Sequence, residues 1–309
     1  MVTTTSKGPA RGVIKFFKSW DFFDVFVLVA LILVGIVTLY PVANIFSISV
    51  SSPMAVSRGI SWLPKDLDST AYEYILKHPA IPRGYRNSIV YTVVATAVNL
   101  FVTSLCSYPL SKKGLIGRKI FTFLIVFTMF FGGGLIPRFL LVRRLGMFNT
   151  MWALVVPTAI ATYYMIILRT FFQSVPADLE ESAFLDGAGQ WRILFQIYIP
   201  LSKAAFATLG LFYALGHWNN FFAPLIYLRD PEKFPLPLVV RDIVLGDLLL
   251  QKREEIQGVF DFDREADYAA YSINFRYATL FVSMVPLLVI YPFVQRYFVK
   301  GIMIGSLKG

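Results

Sequence analysis

The chain has 309 residues, of which 56% are hydrophobic and 16% are charged, and its mean hydropathy is +0.62. Soluble domains use fewer apolar residues and about 25% charged ones, so the composition excludes an ordinary soluble domain and indicates a membrane protein. The formal net charge of +10 does not indicate a nucleic-acid-binding protein, because the basic residues are dispersed between apolar runs. Anionic lipid at the inner membrane surface is the expected partner of this charge.

Cysteine and histidine usage argues against two further kinds of site. Cys106 is the only cysteine, so the chain cannot form an internal disulfide or a thiolate metal site. The histidines, His78 and His217, lie far apart in the sequence and do not indicate a zinc site. We therefore expect no metal site in this chain.

The N-terminal part of the chain predicts a basic tail, a membrane span and an external loop. Residues 1–21 predict a cytoplasmic tail. Residues 22–50 form an apolar run too long for a signal peptide, and they predict an uncleaved span with a kink at Pro41. Residues 51–86 predict an external loop that contains a short helix around residues 72–77.

The second and third spans are predicted at residues 87–110 and 120–141. The short loop between them is basic, of the kind left in the cytoplasm, which places the N-terminus inside. Residues 132–134 are three glycines in the outer half of the third span, and they either line a substrate path or mark helix crowding or a local break. The loop that follows is predicted outside the membrane and contains Arg138, Arg143 and Arg144.

The segment 176–200 lies between the fourth span, 151–168, and the fifth, 200–228, and predicts two short helices. A proline and three acidic residues suit the first turn of a helix, where the dipole is positive. Leu179, Ala183 and Phe184 share one stripe of this helix, and the two glutamates after Leu179 lie off it. Gly187 is expected to end the first helix, and a second periodic run follows until Pro200.

The rest of the chain predicts a charged external loop and a sixth span. Residues 229–274 carry dense charge and belong in water, although residues 238–250 within them are apolar, too short to cross a bilayer, and predicted to lie on its outer surface. Residues 275–298 predict the sixth span, and residues 301–309 a cytoplasmic tail. The fold class is therefore an all-α membrane protein with six transmembrane helices in one domain, residues 22–300.

The segment 176–200 resembles the cytoplasmic signature of ATP-binding cassette (ABC) importer permeases, which reads E-A-A, three residues, G, nine residues, I-x-L-P. This chain has Glu181-Ser182-Ala183, then Gly187, then Ile197 after nine residues, and Pro200. Two positions depart from the pattern, with Ser182 in place of its first alanine and Ile199 in place of its leucine. The stretches PADLEESAFLDGA, WNNFFAP and QRYFVKGIMIGSLKG are similar to the carbohydrate-importer branch, so the resemblance covers most of the chain.

The resemblance implies a type I ABC importer permease fold in a bacterial or archaeal cytoplasmic membrane, with both termini inside. A coupling helix between the fourth and fifth spans would dock on an ATPase subunit. The residues implied in this contact are Asp178, Leu179, Glu181, Ser182, Ala183, Phe184, Asp186, Gly187 and Ala188. The implied partners are a second, non-identical permease subunit, two ATPase subunits, and an extracytoplasmic sugar-binding protein toward which the loop 229–274 reaches.

The chain lacks the residues for chemistry of its own. It has no phosphate-binding loop of the pattern G-x-x-x-x-G-K-[ST], so we expect no catalytic residue and no cofactor here, with ATP and magnesium on the partner ATPase. Apart from Asp24 in the first turn of the first span, the six predicted spans contain no Asp or Glu, which argues against an ion-coupled carrier. Energy coupling is then mechanical, through the bend that Gly187 sets.

Candidate substrate contacts lie in the outer half of the fifth span, at Trp218, Asn219 and Asn220. An aromatic ring can stack on the C–H face of a sugar while amides bond its hydroxyls. Anchoring at the membrane interface is the competing explanation. Tyr163 and Tyr164 in the fourth span are weaker candidates.

The function predicted from the sequence is that of a transmembrane subunit of an ATP-driven carbohydrate importer. The three arginines after the third span hint at an anionic sugar such as a uronate. The alternatives are an ABC importer permease for another solute, such as an amino acid or phosphate, an ion-coupled carrier or passive channel, and a non-transporting membrane scaffold.

Overall fold

A computed structural model describes residues 21–57, 63–245, 272–289 and 291, which form helices and turns without any β-strand among them. Two compact units are present, one from the described parts of residues 1–71 and 262–281, the other from those of residues 72–261 and 282–309. In chain order the helices are α1 (Phe22–Val50), α2 (Pro53–Ser57), α3 (Thr70–Lys77), α4 (Ala80–Ser111), α5 (Arg118–Phe130), α6 (Leu135–Arg144), α7 (Trp152–Thr158), α8 (Thr162–Gln173), α9 (Ala177–Leu185), α10 (Gln190–Leu201), α11 (Lys203–Trp218), α12 (Phe222–Tyr227), α13 (Leu236–Val244) and α14 (Ser272–Val289).

In the first unit, α1 continues through Pro41 without interruption. Its apolar side chains are largely exposed, as expected of a helix that faces lipid. The buried Asn274 near the start of α14 donates to the carbonyls of Ile48 at 3.3 Å and Ser51 at 2.5 Å, and so caps the end of α1. The tails and most of the loop 229–274 lie outside the described residues.

The described residues contain three helices long and apolar enough to cross a membrane, α1, α4 and α14. Three bent pairs pass the same test when each is taken together: α5 with α6 at 111°, α7 with α8 at 55°, and α10 with α11 at 85°. The described residues therefore contain up to six candidate spans, and the third, fourth and fifth are not the single straight helices that the apolar runs predict.

The glycines at 132–134 break the third apolar run. Gly134 has a φ of +79°, a conformation that other residues seldom adopt, and it immediately precedes α6. Of the two sequence-based explanations, a local break is the one observed. Arg138, Arg143 and Arg144 consequently lie on a helix and are exposed there, which corrects their prediction as loop residues.

The fifth apolar run is divided at both ends. A π-helical turn over Leu194–Tyr198 precedes Pro200, whose missing N–H prevents regular helical bonding, and the chain bends at Ser202 between α10 and α11. At the outer end, α11 stops at Trp218 and α12 starts at Phe222. The prediction of one continuous helix over residues 200–228 was therefore wrong.

The second unit is assembled on α4, which begins at Ala80, earlier than its apolar run predicts. Small and polar residues recur along its buried face at Gly84, Ser88, Ala95, Asn99, Thr103 and Ser107. Short side chains permit close approach of neighbouring helices, here α8, α11 and α13.

Helix α13 packs on α4 through its apolar face, because Leu236, Leu238, Val239, Val240 and Ile243 are buried. The Leu236 N–H also donates to the Ser88 hydroxyl at 2.8 Å. The apolar face of the described part of this stretch is therefore directed at α4, and its position at the outer membrane surface stays a prediction.

Candidate functional site

The segment with the signature folds as two helices, α9 and α10, joined by a glycine, and we call this pair the elbow. Gly187 has a φ of +79°, its N–H donates to Phe184 at 3.0 Å, and the Ala188 N–H donates to Ala183 at 2.9 Å. These two bonds form a Schellman motif, which satisfies carbonyls at the end of α9. The predicted glycine bend between two short helices is confirmed.

Most side chains proposed for the contact with an ATPase point to solvent. The exposed members of that set are Asp178, Leu179, Glu181, Ser182, Phe184, Asp186 and Gly187. Ala183 and Ala188 are half-buried and pack against the core. The predicted apolar stripe is therefore divided, since Ala183 faces inward while Leu179 and Phe184 remain 44% and 45% exposed.

Glu180 turns inward and forms an ion pair with Lys112, at the end of α4. The side chains of the two residues are 16% and 22% exposed. The Tyr198 hydroxyl on α10 accepts a hydrogen bond from the Lys112 ammonium at 2.8 Å and donates one to Glu180 at 2.6 Å. Three elements, α4, α9 and α10, thus meet at one carboxylate.

Aromatic rings surround the ammonium group. Lys112 Nζ lies 4.2 Å from the ring centroid of Tyr108 and 4.0 Å from that of Tyr198, within the range of cation–π attraction. Those rings meet edge to face at 5.0 Å, and the Tyr108 hydroxyl donates to Gln190 at 2.5 Å. Phe172 of α8 packs edge to face on Tyr198 at 5.5 Å, which brings a fourth element into this cluster.

Burial lowers the pKa of the Lys112 ammonium from its ordinary value of 10.5, while the hydrogen bond and the charge of Glu180 raise the pKa. Desolvation is the largest of these effects, because a charged amine in a low-dielectric site loses its hydration. The charge of Lys112 is therefore tolerated here through Glu180 and the two tyrosines. An open cavity of about 590 Å³, lined by Leu105, Pro109, Leu115 and Trp191 among others, lies beside the cluster.

Sequence reasoning did not find this cluster. It attributed Glu180 to the helix dipole and Lys112 to a cytoplasmic basic loop. The two residues are 68 positions apart, so no local pattern joins them.

The candidate substrate contacts are dispersed. Trp218 is partly buried, with its ring centroid 6.4 Å from that of Tyr85. Asn219 donates to the carbonyl of Leu215 at 3.0 Å, and the side chain of Asn220 accepts from the Ala223 N–H at 3.2 Å, near the start of α12. These contacts terminate α11 and begin α12, but each amide retains groups that could bond a ligand.

The two tyrosines of the fourth span have different surroundings. Tyr164 stacks on Phe212 at 5.8 Å and meets Tyr213 edge to face at 4.8 Å, so its ring is used in packing. Tyr163 is 61% exposed. Only Tyr163 of this pair presents a free aromatic face.

Comparison with known proteins identifies the family. Residues 90–304 match the model described as "Binding-protein-dependent transport system inner membrane component". The chain belongs to this family. Within it, the permease is 37% identical over 288 residues to the polygalacturonan/rhamnogalacturonan transport system permease protein YtcP of Bacillus subtilis (strain 168), covering 93% of this chain and 98% of that relative.

Two further proteins resemble the permease over nearly their whole length. Protein LplC of Bacillus subtilis (strain 168) is 38% identical over 294 residues, covering 94% of this chain and 97% of LplC. A chain of a bacterial ABC transporter involved in import of the acidic polysaccharide alginate superimposes with a TM-score of 0.78 at 33% identity, covering 90% of the permease and 99% of that chain. The permease therefore has the fold of an ABC importer subunit.

Proposed function

We propose that this permease is a transmembrane subunit of an ATP-driven importer that receives a carbohydrate from an extracytoplasmic binding protein and delivers it to the cytoplasm. Its membership of the binding-protein-dependent family and its similarity to YtcP carry the proposal. A second permease subunit and two ATPase subunits complete the assembly, and the ATPase subunits hold ATP and magnesium. Carbohydrate is favoured over other solutes because named relatives transport sugars.

The elbow is the proposed contact with the ATPase subunit. A force-transmitting contact needs an exposed surface on a rigid support, and α9 combines exposed Leu179 and Phe184 with a half-buried ion pair at Glu180. Leu185 adds to this surface because it is 90% exposed. An apolar patch rimmed by carboxylates is a typical protein–protein surface.

The proposed topology has six spans with both termini and the elbow in the cytoplasm. It can be tested in a Cys106→Ser background, with single cysteines at Leu185 and Arg144 and a membrane-impermeant maleimide. We expect Arg144→Cys to be labelled on intact cells and Leu185→Cys only in inverted vesicles. Labelling of Leu185→Cys from the outside would refute the topology and the docking role together.

The proposed substrate is an acidic oligosaccharide. Two relatives support this class, since one is named for polygalacturonan and another belongs to an importer of acidic alginate. On this chain, Arg138, Arg143 and Arg144 are exposed on α6 and have no ion pair among the described residues. Unpaired arginines can attract and bind carboxylates.

The decisive experiment measures ATP hydrolysis by the reconstituted importer with its binding protein, using oligogalacturonides, alginate oligomers, neutral cello-oligosaccharides, amino acids and phosphate. Stimulation by the acidic oligomers alone is expected. Stimulation by an amino acid or phosphate instead would overturn the carbohydrate proposal. Equal stimulation by neutral oligomers would overturn only the acidic preference.

The sugar-path residues need a separate test at saturating binding protein. Asn219→Ala and Asn220→Ala should slow uptake if the free amide groups contact the sugar. An unchanged rate in both variants, with lower thermal stability of Asn220→Ala alone, would assign these residues to helix termination. Tyr163→Phe tests the weaker candidate separately, since it retains the exposed ring and removes only a hydroxyl.

A further inference from the structure

We propose that Lys112 is the positioning residue of the elbow: it holds Glu180 inward and thereby sets which side of α9 faces the cytoplasm. Lys112 lies outside the signature and outside the set of residues predicted for coupling. The functional consequence rests on the proposed docking role of the elbow, whereas the positioning itself does not.

The geometry of a helix makes one inward contact sufficient to orient α9. Successive residues are separated by about 100°, so fixing Glu180 against α4 also fixes the directions of Leu179 and Glu181. Along α9 only Glu180 and Ala183 are partly buried, and an alanine methyl provides little burial. The ion pair is therefore the main contact that resists rotation of α9 about its axis.

The helix has little stability of its own. It has nine residues, and isolated helices shorter than about 12 residues are marginal in water. Its N-terminus has no side-chain capping bond, because the cap position is Pro176. Tertiary contacts must therefore supply its stability. Among the described residues, the ion pair between Glu180 and Lys112 is the one that α9 forms.

The ion pair also gives α9 a second route to the membrane helices. Through the chain itself, α9 is connected to α8 and α10 only. Lys112 immediately follows α4, which packs against both α8 and α11. A displacement of α9 would thus be passed directly to α4 as well, and the helices around it would move as one body.

Loss of Lys112 should release this contact. A half-buried carboxylate beside two aromatic rings is costly without a cation, since its partial desolvation then has little compensation. Glu180 would retain only the Tyr198 hydroxyl and would turn to water, which removes the contact that holds α9 in this orientation. Lys113, the next residue, is exposed and forms no ion pair with the described part of the elbow, so it provides a matched control.

The test is hydrogen exchange of the backbone amides of residues 177–188, measured by mass spectrometry on the permease assembled with its partner subunits in nanodiscs. Lys112→Met should accelerate exchange there by at least tenfold, whereas Lys113→Met should leave it at the wild-type rate. Lys112→Arg, which keeps a cation beside Glu180 and the two tyrosine rings, should retain much of the protection. Equal exchange in Lys112→Met and Lys113→Met would overturn the inference.

Two further measurements separate this inference from the proposed docking role. Retention of the ATPase subunit and solute imported per ATP are measured on the same samples, and Lys112→Met is expected to lower import per ATP about tenfold. Faster exchange with normal retention and import would support the positioning and refute docking through the elbow. If Lys112→Met does not assemble, Lys112→Arg decides: assembly with protected amides supports the ion pair, and failure to assemble or unprotected amides overturn it.

Discussion

The amide of Asn99 and the imidazole of His217 lie 2.7 Å apart, where α4 meets the end of α11. Asn99 Nδ2 also donates to the carbonyl of Thr158, the last residue of α7. One turn further along α4, the Thr103 hydroxyl is 2.8 Å from that of Tyr213, which accepts the Ala161 N–H at 3.1 Å. Side chains on α4 and α11 therefore satisfy backbone groups left free by the break between α7 and α8.

Replacing Asn99 by leucine should destabilise the permease by about 1–3 kcal/mol, because the Thr158 carbonyl and the His217 ring both lose a buried partner. The measurement is the thermal unfolding midpoint in detergent. Thr96→Val is the matched control on the same helix, since the Thr96 hydroxyl is buried without a partner among the described residues. Its removal should be neutral or stabilising, and an equal loss in both variants would contradict the role of Asn99.

Replacing Tyr213 by phenylalanine should cost about 1–2 kcal/mol, because the Ala161 N–H and the Thr103 hydroxyl lose their partner while the ring packing stays. Thr103→Val should cost less, since Ala161 retains its acceptor. The double variant should cost less than the sum, because the two hydroxyls share one bond. If the decrease in thermal midpoint of the double variant equals the sum of the decreases in the two single variants, the two hydroxyls do not interact.

These contacts mark the limit of what the sequence could predict. The first and second spans and the bend at Gly187 follow from local signals: apolar length, a basic loop, and a glycine after an amphipathic helix. The breaks at residues 132–134 and at Ser202 depend on how the chain turns in space, since three glycines or a proline are compatible with both a kinked and a broken span. Hydropathy averages over such breaks and reports a continuous run.

The sequence patterns did not identify Glu180 as the inward-facing residue of the elbow, for a related reason. Glu180 and Glu181 are chemically identical and adjacent, so composition cannot assign one to the core and the other to solvent. Only the approach of Lys112, across 68 residues of sequence, distinguishes them. Local patterns predicted which residues of α9 form the exposed side of the candidate site. They did not predict the ion pair with Lys112 behind it, because that contact depends on long-range packing.

Replacing Gly187 by valine should strain the elbow by about 1–2 kcal/mol, because a branched side chain disfavours the left-handed conformation. The strain is purely conformational, since a Cβ at this position would have no atom within 4 Å. Gly189 is the matched control: a Cβ there is equally free, and its φ of −74° with ψ of 163° suits valine.

The two glycine variants should therefore differ in coupling and not in membrane insertion. Gly187→Val is expected to insert normally but to import less solute per ATP, while Gly189→Val keeps the wild-type ratio. Insertion is followed by yield of the assembled complex, and coupling by uptake and ATP hydrolysis in proteoliposomes. A wild-type ratio in Gly187→Val would count against the elbow as the lever.

Replacing Gly84 by alanine should force α13 away from α4. The new Cβ would lie 3.2 Å from the Leu236 Cα and 3.3 Å from the Val239 side chain, and the first of these is backbone that cannot rotate aside. Overpacking of this kind costs about 1–3 kcal/mol, and it would also stretch the hydrogen bond from Leu236 to Ser88.

Gly216→Ala on α11 is the control, because its Cβ meets nothing within 4 Å and alanine favours the helix by about 0.5–1 kcal/mol. Thermal midpoints should fall for Gly84→Ala and rise or stay level for Gly216→Ala, and a fall of equal size in both would mean that the close approach of α13 does not limit stability.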